Sequence, residues 1–334
     1  MVMTNLQNNG PISLTPGSKI VGKWNRIPYQ IKYMLGSGAN GTVYLASSQN
    51  GNVAIKISKE STNITNEVNV LKKLSQVQGS ILGPSFIDVD DFTHPYTREP
   101  LYFYVMDYIE GQNVFTFLQK NELEWSCVLI AQLLSKLELL HEQGYIFGDL
   151  KTDNLIVTTG PHSIQWIDVG GVTPIGRAVK EFTEFFDRGY WELGTRKAEP
   201  TYDLFACAMI LIHLHCKKQY TKNGKGINQL EEIINQNKSL TLYKTVLLKA
   251  LTGKYTSAVQ MKKDLLMCEQ KRVRKQPVHY PQTSQNNKIK PAQHPQSASR
   301  IANKKNKKKH YWFETIILVL LAALGYALYF YYQL

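Results

Sequence analysis

Hydrophobic patterning divides this chain into unlike parts. A short apolar run, Val53-Ala54-Ile55, ends in Lys56 and reads as a strand. From 67 to 74, Val70, Leu71 and Leu74 give one apolar face of a helix that opens with Glu67. Between these and the N-terminus, Gly36-Ser37-Gly38-Ala39-Asn40-Gly41-Thr42-Val43 reads as a glycine-rich turn joining two strands. The patterning stops at 268–310, which is rich in Pro, Gln, Asn and Ser and predicts a disordered linker. Apolar character returns over 315–332, eighteen residues without a charge. With Tyr311-Trp312-Phe313 ahead of it, this stretch spans about 30 Å as a helix, enough to cross a bilayer. Tyr311 and Trp312 on one side, and Tyr329, Tyr331 and Tyr332 on the other, fit interfacial belts. A transmembrane helix is therefore expected over 311–332, with a short C-terminus outside. Ala323 and Ala327 form a small-xxx-small pair, a feature of helix association in a homodimer.

Charge sharpens this division. The chain carries 39 Lys+Arg against 26 Asp+Glu. Residues 268–310 hold 12 of those bases and a single acid, Glu269, so nearly all the excess lies in the linker. Lys304, Lys305, Lys307, Lys308 and Lys309 directly precede the expected span, which places the preceding domain in the cytoplasm at the cell membrane. Lys271, Arg272, Arg274 and Lys275 are too far from the span to be needed for topology. Both clusters are candidates for a sequence-neutral contact with DNA or anionic lipid. Residues 1–28 form a polar segment without the apolar core of a signal peptide. Cys127, Cys207, Cys216 and Cys268 show no metal or disulfide spacing, as suits a reducing compartment.

The chemistry sits in Phe147-Gly148-Asp149-Leu150-Lys151-Thr152-Asp153-Asn154, followed by Asp168-Val169-Gly170. Phosphoryl transfer needs a group to orient the acceptor hydroxyl, a cation near the moving phosphoryl and oxygen ligands for Mg²⁺. Asp149, Lys151 and the pair Asn154 and Asp168 fill those places. Upstream, Gly36, Ser37, Gly38 and Gly41 would let the backbone close over the phosphates of ATP, and Lys56 would hold the α- and β-phosphates. Lys56 needs a carboxylate partner. Glu67 is favoured over Glu60, which lies too close to the strand.

The order and spacing of these motifs resemble the bacterial Hanks-type serine/threonine protein kinases over about residues 29–267. The resemblance implies an α+β fold of two lobes. The small lobe, about 29–106, would hold a β-sheet with one helix; the large lobe, about 112–267, would be mainly helical. It implies ATP and Mg²⁺ as cofactors and proteins as substrates. Met106 matches the gatekeeper, Asp107 and Ile109 match hinge positions whose backbones bind adenine, and Val43, Ala54 and Ile156 match positions that sandwich the adenine ring. Asp203 matches the aspartate that braces the catalytic loop, and Gly189-Tyr190-Trp191-Glu192 a shortened form of the segment ending Ala-Pro-Glu. As a whole, the chain is similar to single-pass bacterial kinases without an extracellular domain.

Two departures matter. Gly148 stands where the family has an arginine that receives a phosphorylated activation loop, so replacing Thr173, Thr183 and Thr195 together is expected to reduce activity only modestly. The Gly-Asp pair also occurs in small-molecule phosphotransferases of the aminoglycoside-kinase type, but these have histidine where this chain has Lys151. A pseudokinase scaffold is the third reading; Lys56, Asp149, Asn154 and Asp168 all argue against it.

Overall fold

The computed structural model describes residues 12–77 and 82–275. The expected transmembrane helix and most of the basic linker lie outside the described residues. Among the described residues no helix is long and apolar enough to cross a membrane.

The small lobe is a six-stranded antiparallel sheet in the order β1-β2-β3-β4-β6-β5 with one helix beside it. The strands are β1 (Lys19–Val21), β2 (Pro28–Gly38), β3 (Gly41–Ser48), β4 (Gly51–Ser58), β5 (Phe86–Thr93) and β6 (Pro100–Asp107). Helix α1 (Ser61–Leu74) follows β4 and buries Ile64, Glu67, Val68, Leu71 and Leu74. These fall at intervals of three and four, the spacing of one helical face. Val70, expected on that face, only flanks it. A carboxylate within the apolar stripe is the informative feature, because burying it is costly unless it is paired.

The N-terminal boundary at 28/29 is corrected by β1. Ile12, Leu14 and Ile20 are buried in the small-lobe core. The Tyr44 hydroxyl accepts the Leu14 N–H at 2.9 Å and donates to the Ile12 carbonyl at 2.5 Å. Part of the polar N-terminal segment is therefore built into the sheet. Three alternating residues were too few for sequence periodicity to register.

The large lobe contains β7 (Gly111–Asn113), α2 (Val114–Lys120), α3 (Trp125–Glu142), β8 (Tyr145–Ile146), β9 (Leu155–Thr158), β10 (Ile164–Trp166) and β11 (Thr173–Pro174). Helices α4 (Pro200–Cys216), α5 (Ile227–Gln236), α6 (Lys238–Thr241), α7 (Lys244–Leu251) and α8 (Ala258–Lys275) complete it. Helix α4 is buried nearly all round, as its almost uniformly apolar sequence requires. Its two ends carry its polar work. Asp203 near the start holds the loop that carries Asp149, and His215 near the end is buried between Ser126 and Ser239.

Helix α8 also overturns the linker boundary. The expected disorder from 268 onward is replaced by helix as far as Lys275. Met261 and Leu265 are buried, Lys262 donates to Ser135 of α3 at 2.8 Å, and Arg272 donates to Glu269 at 2.8 Å and to Glu124. Tyr243 also donates to Glu269. Arg272, read from sequence as a polyanion contact, is thus engaged within the domain. A basic composition does not prevent a helix when acids on neighbouring elements lie opposite it.

His215 gives a pH prediction. Burial pushes its pKa from 6.5 down to about 4, and the nearby Glu124 charge only partly counters this. The unfolded chain therefore binds the proton more readily than the folded one. The stabilisation is fully present above about pH 6.5 and is lost as pH falls toward 4. Between pH 7 and pH 5 this one group should cost about 2 kcal/mol of stability. Urea denaturation at the two pH values, with and without His215→Asn, checks it; the variant should lose most of this pH dependence.

Candidate active site

Strand register brings the upstream motifs together. The β3–β4 pairing sets Val43 opposite Lys56, and the β4–β6 pairing sets Ala54 opposite Met106. Ala54 and Met106 are buried, whereas Val43, Ile109 and Ile156 are half-buried. The Asp107 N–H donates to the Ser85 carbonyl at 3.0 Å, so any adenine contact at Asp107 falls to its own carbonyl. Gly111 at the start of β7 is forced by close approach, because a Cβ there would meet Ile156 and the Val157 carbonyl at 2.4 Å. Ala39 and Asn40 form the turn between β2 and β3. Nothing lies within 4 Å of where Cβ atoms on Gly36 and Gly38 would sit.

Lys56 is 4% exposed and reaches both lobes. Its ammonium lies 2.8 and 2.7 Å from the two carboxylate oxygens of Glu67 and 3.1 Å from Asp168 Oδ1. Burial alone would lower the lysine pKa, but the charges of Asp168 and Glu67 raise it and keep the ammonium protonated. Burial alone would raise the Asp168 pKa; Lys56 and the Gly170 N–H lower it. Burial pushes Glu67 up, partly offset by Lys56. Tyr104, one strand over, donates to Glu67 Oε2 at 2.8 Å. Sequence reading missed Tyr104; it is one of several aromatics on a strand, and only the register shows that it reaches α1.

The loop after β8 is held by α4. Asp203 accepts the N–H groups of Phe147 at 2.7 Å and Gly148 at 3.0 Å, and its Oδ2 lies 2.9 Å from His141 Nε2. Phe147 packs on Trp166 with ring centroids 5.1 Å apart. Gly148 has φ +83°, and a Cβ there would stand 2.5 Å from the Gly171 carbonyl. The family arginine therefore has neither the backbone angle nor the space here. Asn154 Nδ2 donates to the Asp149 carbonyl at 3.0 Å, which closes the loop on itself.

Asp149, Lys151 and Thr183 meet in one cluster. Lys151 Nζ lies 2.5 Å from Asp149 Oδ2 and 3.1 Å from Thr183 Oγ1, and Thr183 donates to Asp149 Oδ1 at 3.0 Å. Thr183 thus differs from the other two threonines in touching both Asp149 and Lys151. Thr173 is buried and donates to the Gly171 carbonyl, while Thr195 is exposed. Thr183 lies 34 residues from Asp149, so no local spacing could have paired them.

The segment beyond Thr183 is arranged around buried Asp187. It accepts from the N–H groups of Gly189 and Tyr190, from Arg196 and from the Tyr202 hydroxyl. Arg188, also buried, binds Glu199 at 2.6 Å and the Thr195 carbonyl at 2.6 Å. Glu192, read from sequence as the end of the shortened Ala-Pro-Glu segment, instead faces solvent and pairs with Lys222 at 2.6 Å.

Of the basic residues considered for polyanion contact, Lys271 is exposed on α8 and Arg272 is ion-paired. The side chains of Arg274 and Lys275, and residues 304–309, lie outside the described residues.

Among the described residues, no group of three or more His, Cys, Asp or Glu side chains could hold a metal ion unaided. One carboxylate from Asp168 and one amide oxygen from Asn154 suit a hard cation that takes its remaining ligands from phosphate and water.

The protein kinase domain profile matches residues 29–287. The chain is 52% identical over 267 residues to serine/threonine-protein kinase YabT of Bacillus subtilis (strain 168), covering 80% of this chain and 79% of that protein. It is 27% identical over 254 residues to the probable serine/threonine-protein kinase YbdM of the same strain, covering 71% of this chain and 88% of that protein. Two lobes joined through Lys56, a loop hung from Asp203 and this extent of similarity lead to one conclusion: the chain belongs to the protein kinase family and is an ATP-dependent serine/threonine protein kinase.

Proposed function

We propose that Asp149 orients the acceptor serine or threonine hydroxyl and takes its proton, while Lys151 offsets charge on the γ-phosphoryl. Lys56, set by Glu67, holds the α- and β-phosphates beneath residues 36–41. Asn154 and Asp168 are the protein's ligands for Mg²⁺, which when bound neutralises phosphate charge. The observation that carries this reading is the hydrogen-bonded cluster of Asp149, Lys151 and Thr183. Thr183 makes with Asp149 the bond an acceptor hydroxyl would make, and leaves Lys151 between the two.

We further propose that residues 311–332 anchor the kinase in the cell membrane with its catalytic domain in the cytoplasm. The basic segment from Lys271 to the span would gather chains on DNA or anionic lipid and so promote autophosphorylation in trans. Support for this is the charge asymmetry of the sequence and the uncharged C-terminal stretch.

Three outcomes are expected of the full chain. Asp149→Asn should lower the rate of phosphate transfer from labelled ATP by roughly 10²–10⁴-fold with little change in nucleotide affinity, since the interaction belongs to the transfer step. Wild-type turnover in that variant would remove Asp149 from its role. Thr183→Ala should lower turnover by about tenfold or more, with Thr183→Ser retaining most of it, as measured by initial rates. Finally, duplex DNA or vesicles containing anionic lipid should stimulate autophosphorylation at low salt and lose the effect at high salt. Neutralising Lys271, Arg274 and Lys275, with Arg272 left in its ion pairs, should abolish the DNA effect. No response to either polyanion at low salt would leave the segment a spacer with a role in topology alone.

A further inference from the structure

Asn40 occupies an unspecified position of the glycine-rich pattern, and Glu181 belongs to none of the kinase motifs. Yet the two meet across the cleft. Asn40 Nδ2 donates to Glu181 Oε1 at 2.5 Å, and Asn63 of α1 donates to Asn40 Oδ1 at 3.4 Å. Both ends of the Asn40 amide are therefore engaged. Glu181 is half-buried, and its Oε1 stands 3.2 Å from where a Cβ on Gly170 would lie, with Asp168 Oδ1 3.3 Å from that same point. Glu181 thus lies beside the loop that carries Asp168. Two residues on, Thr183 donates to Asp149.

We propose that Asn40 and Glu181 form a clasp that positions the tip of the glycine-rich loop during phosphoryl transfer. The inference rests on the roles given above to Asp149 and to residues 36–41. The turn at Ala39 and Asn40 stands beyond the paired ends of β2 and β3, with open space around Gly36 and Gly38, and holding such a tip in one place costs entropy. A bond from its tip to the segment that carries Thr183 meets that cost before transfer begins. It also links the phosphate side of the cleft to the acceptor side, in the order Asn63, Asn40, Glu181, Thr183, Asp149. Misplacement of reacting groups by about 1 Å can cost on the order of 10²-fold in rate, so such a clasp should act mainly on turnover. Asn40 and Glu181 touch no reacting atom in this scheme and are positioning residues.

Exchanging donor and acceptor tests the clasp. Initial rates of labelled phosphate transfer to the full chain itself and to myelin basic protein are measured over a range of ATP concentrations, with thermal melting as a check on folding. Asn40→Asp sets two carboxylates against each other and should lower kcat by about tenfold, with KM for ATP changed by less than about threefold. Glu181→Gln keeps an acceptor oxygen and should stay within about threefold of wild type. The double variant, Asn40→Asp with Glu181→Gln, restores the bond with reversed polarity and should recover most of the loss. If Asn40→Asp does not fold, Asn40→Ala, Glu181→Ala and their combination should all show the same loss, because each removes the same bond. The clasp is refuted if the double variant is no faster than Asn40→Asp, if Asn40→Asp turns over like wild type, or if Glu181→Ala is faster than wild type, which would mark an inhibitory latch. Asp149→Asn serves as a separate control. Activity in that variant would overturn the site assignment, whereas the exchange experiment judges the clasp alone.

Discussion

A buried ammonium must have negative charge within reach, and in this protein that requirement joins the two lobes. Lys56 comes from the sheet, Glu67 from the helix beside it and Asp168 from the other lobe. Removing one member of such a group leaves an uncompensated charge in a poorly solvated place, which costs far more than the net value of the intact group. The arrangement is therefore better read as a geometric constraint than as a source of stability. It fixes the depth of α1 against the sheet, since Glu67 must sit on the buried face. It also fixes the loop containing Asp168, whose carboxylate is held by Lys56 and by the Gly170 N–H. Tyr104 completes the constraint from the strand next to Lys56.

How much of this was legible in the sequence depended on whether a residue's role is set locally. Lys56 on a short strand, and Asp149 and Asn154 in one loop, stand out through near neighbours in sequence, and the structure has Lys56 on β4 and Asn154 bonded to the Asp149 carbonyl. Glu67 was found because Lys56 needs a carboxylate and Glu60 lies too close to the strand, and the structure sets Glu67 against Lys56. Thr183, Glu181 and Tyr104 could not be found that way, because their partners lie 30 to more than 100 residues away and only tertiary packing brings them together. The two boundary errors have a related cause. Strand β1 is too short to show alternation, and the last turns of α8 are composed like a disordered tail. In both cases residues elsewhere in the chain supply the partners: β2 pairs with β1, Tyr44 holds Ile12 and Leu14 ahead of it, and Glu124 holds Arg272.

The segment between Thr183 and α4 shows how a departure from a family pattern can be structurally complete. Glu192 has left the interior, and Asp187 serves as the buried hub in that region, with Arg196, Tyr202 and two backbone N–H groups around it. Arg188 ties the following loop to Glu199 and Thr201. A buried carboxylate with this many donors is satisfied as fully as a native interior demands. The surface beside the catalytic loop is therefore rigidly supported, although it has lost the usual consensus.

The contact between Gly148 and Gly171 has a consequence for what either position can carry. Backbone meets backbone there, and a Cβ on either residue would come within 3 Å of the other strand of chain. Many relatives of this fold keep a positive side chain at this crossing, so that a covalent mark on the neighbouring segment can be sensed. Here the crossing is filled by main chain. Two loops that meet through backbone atoms leave no side chain to be trimmed or rotated out of the way. A residue larger than glycine at either position would therefore wedge the segment carrying Asp149 away from the segment that follows Asp168.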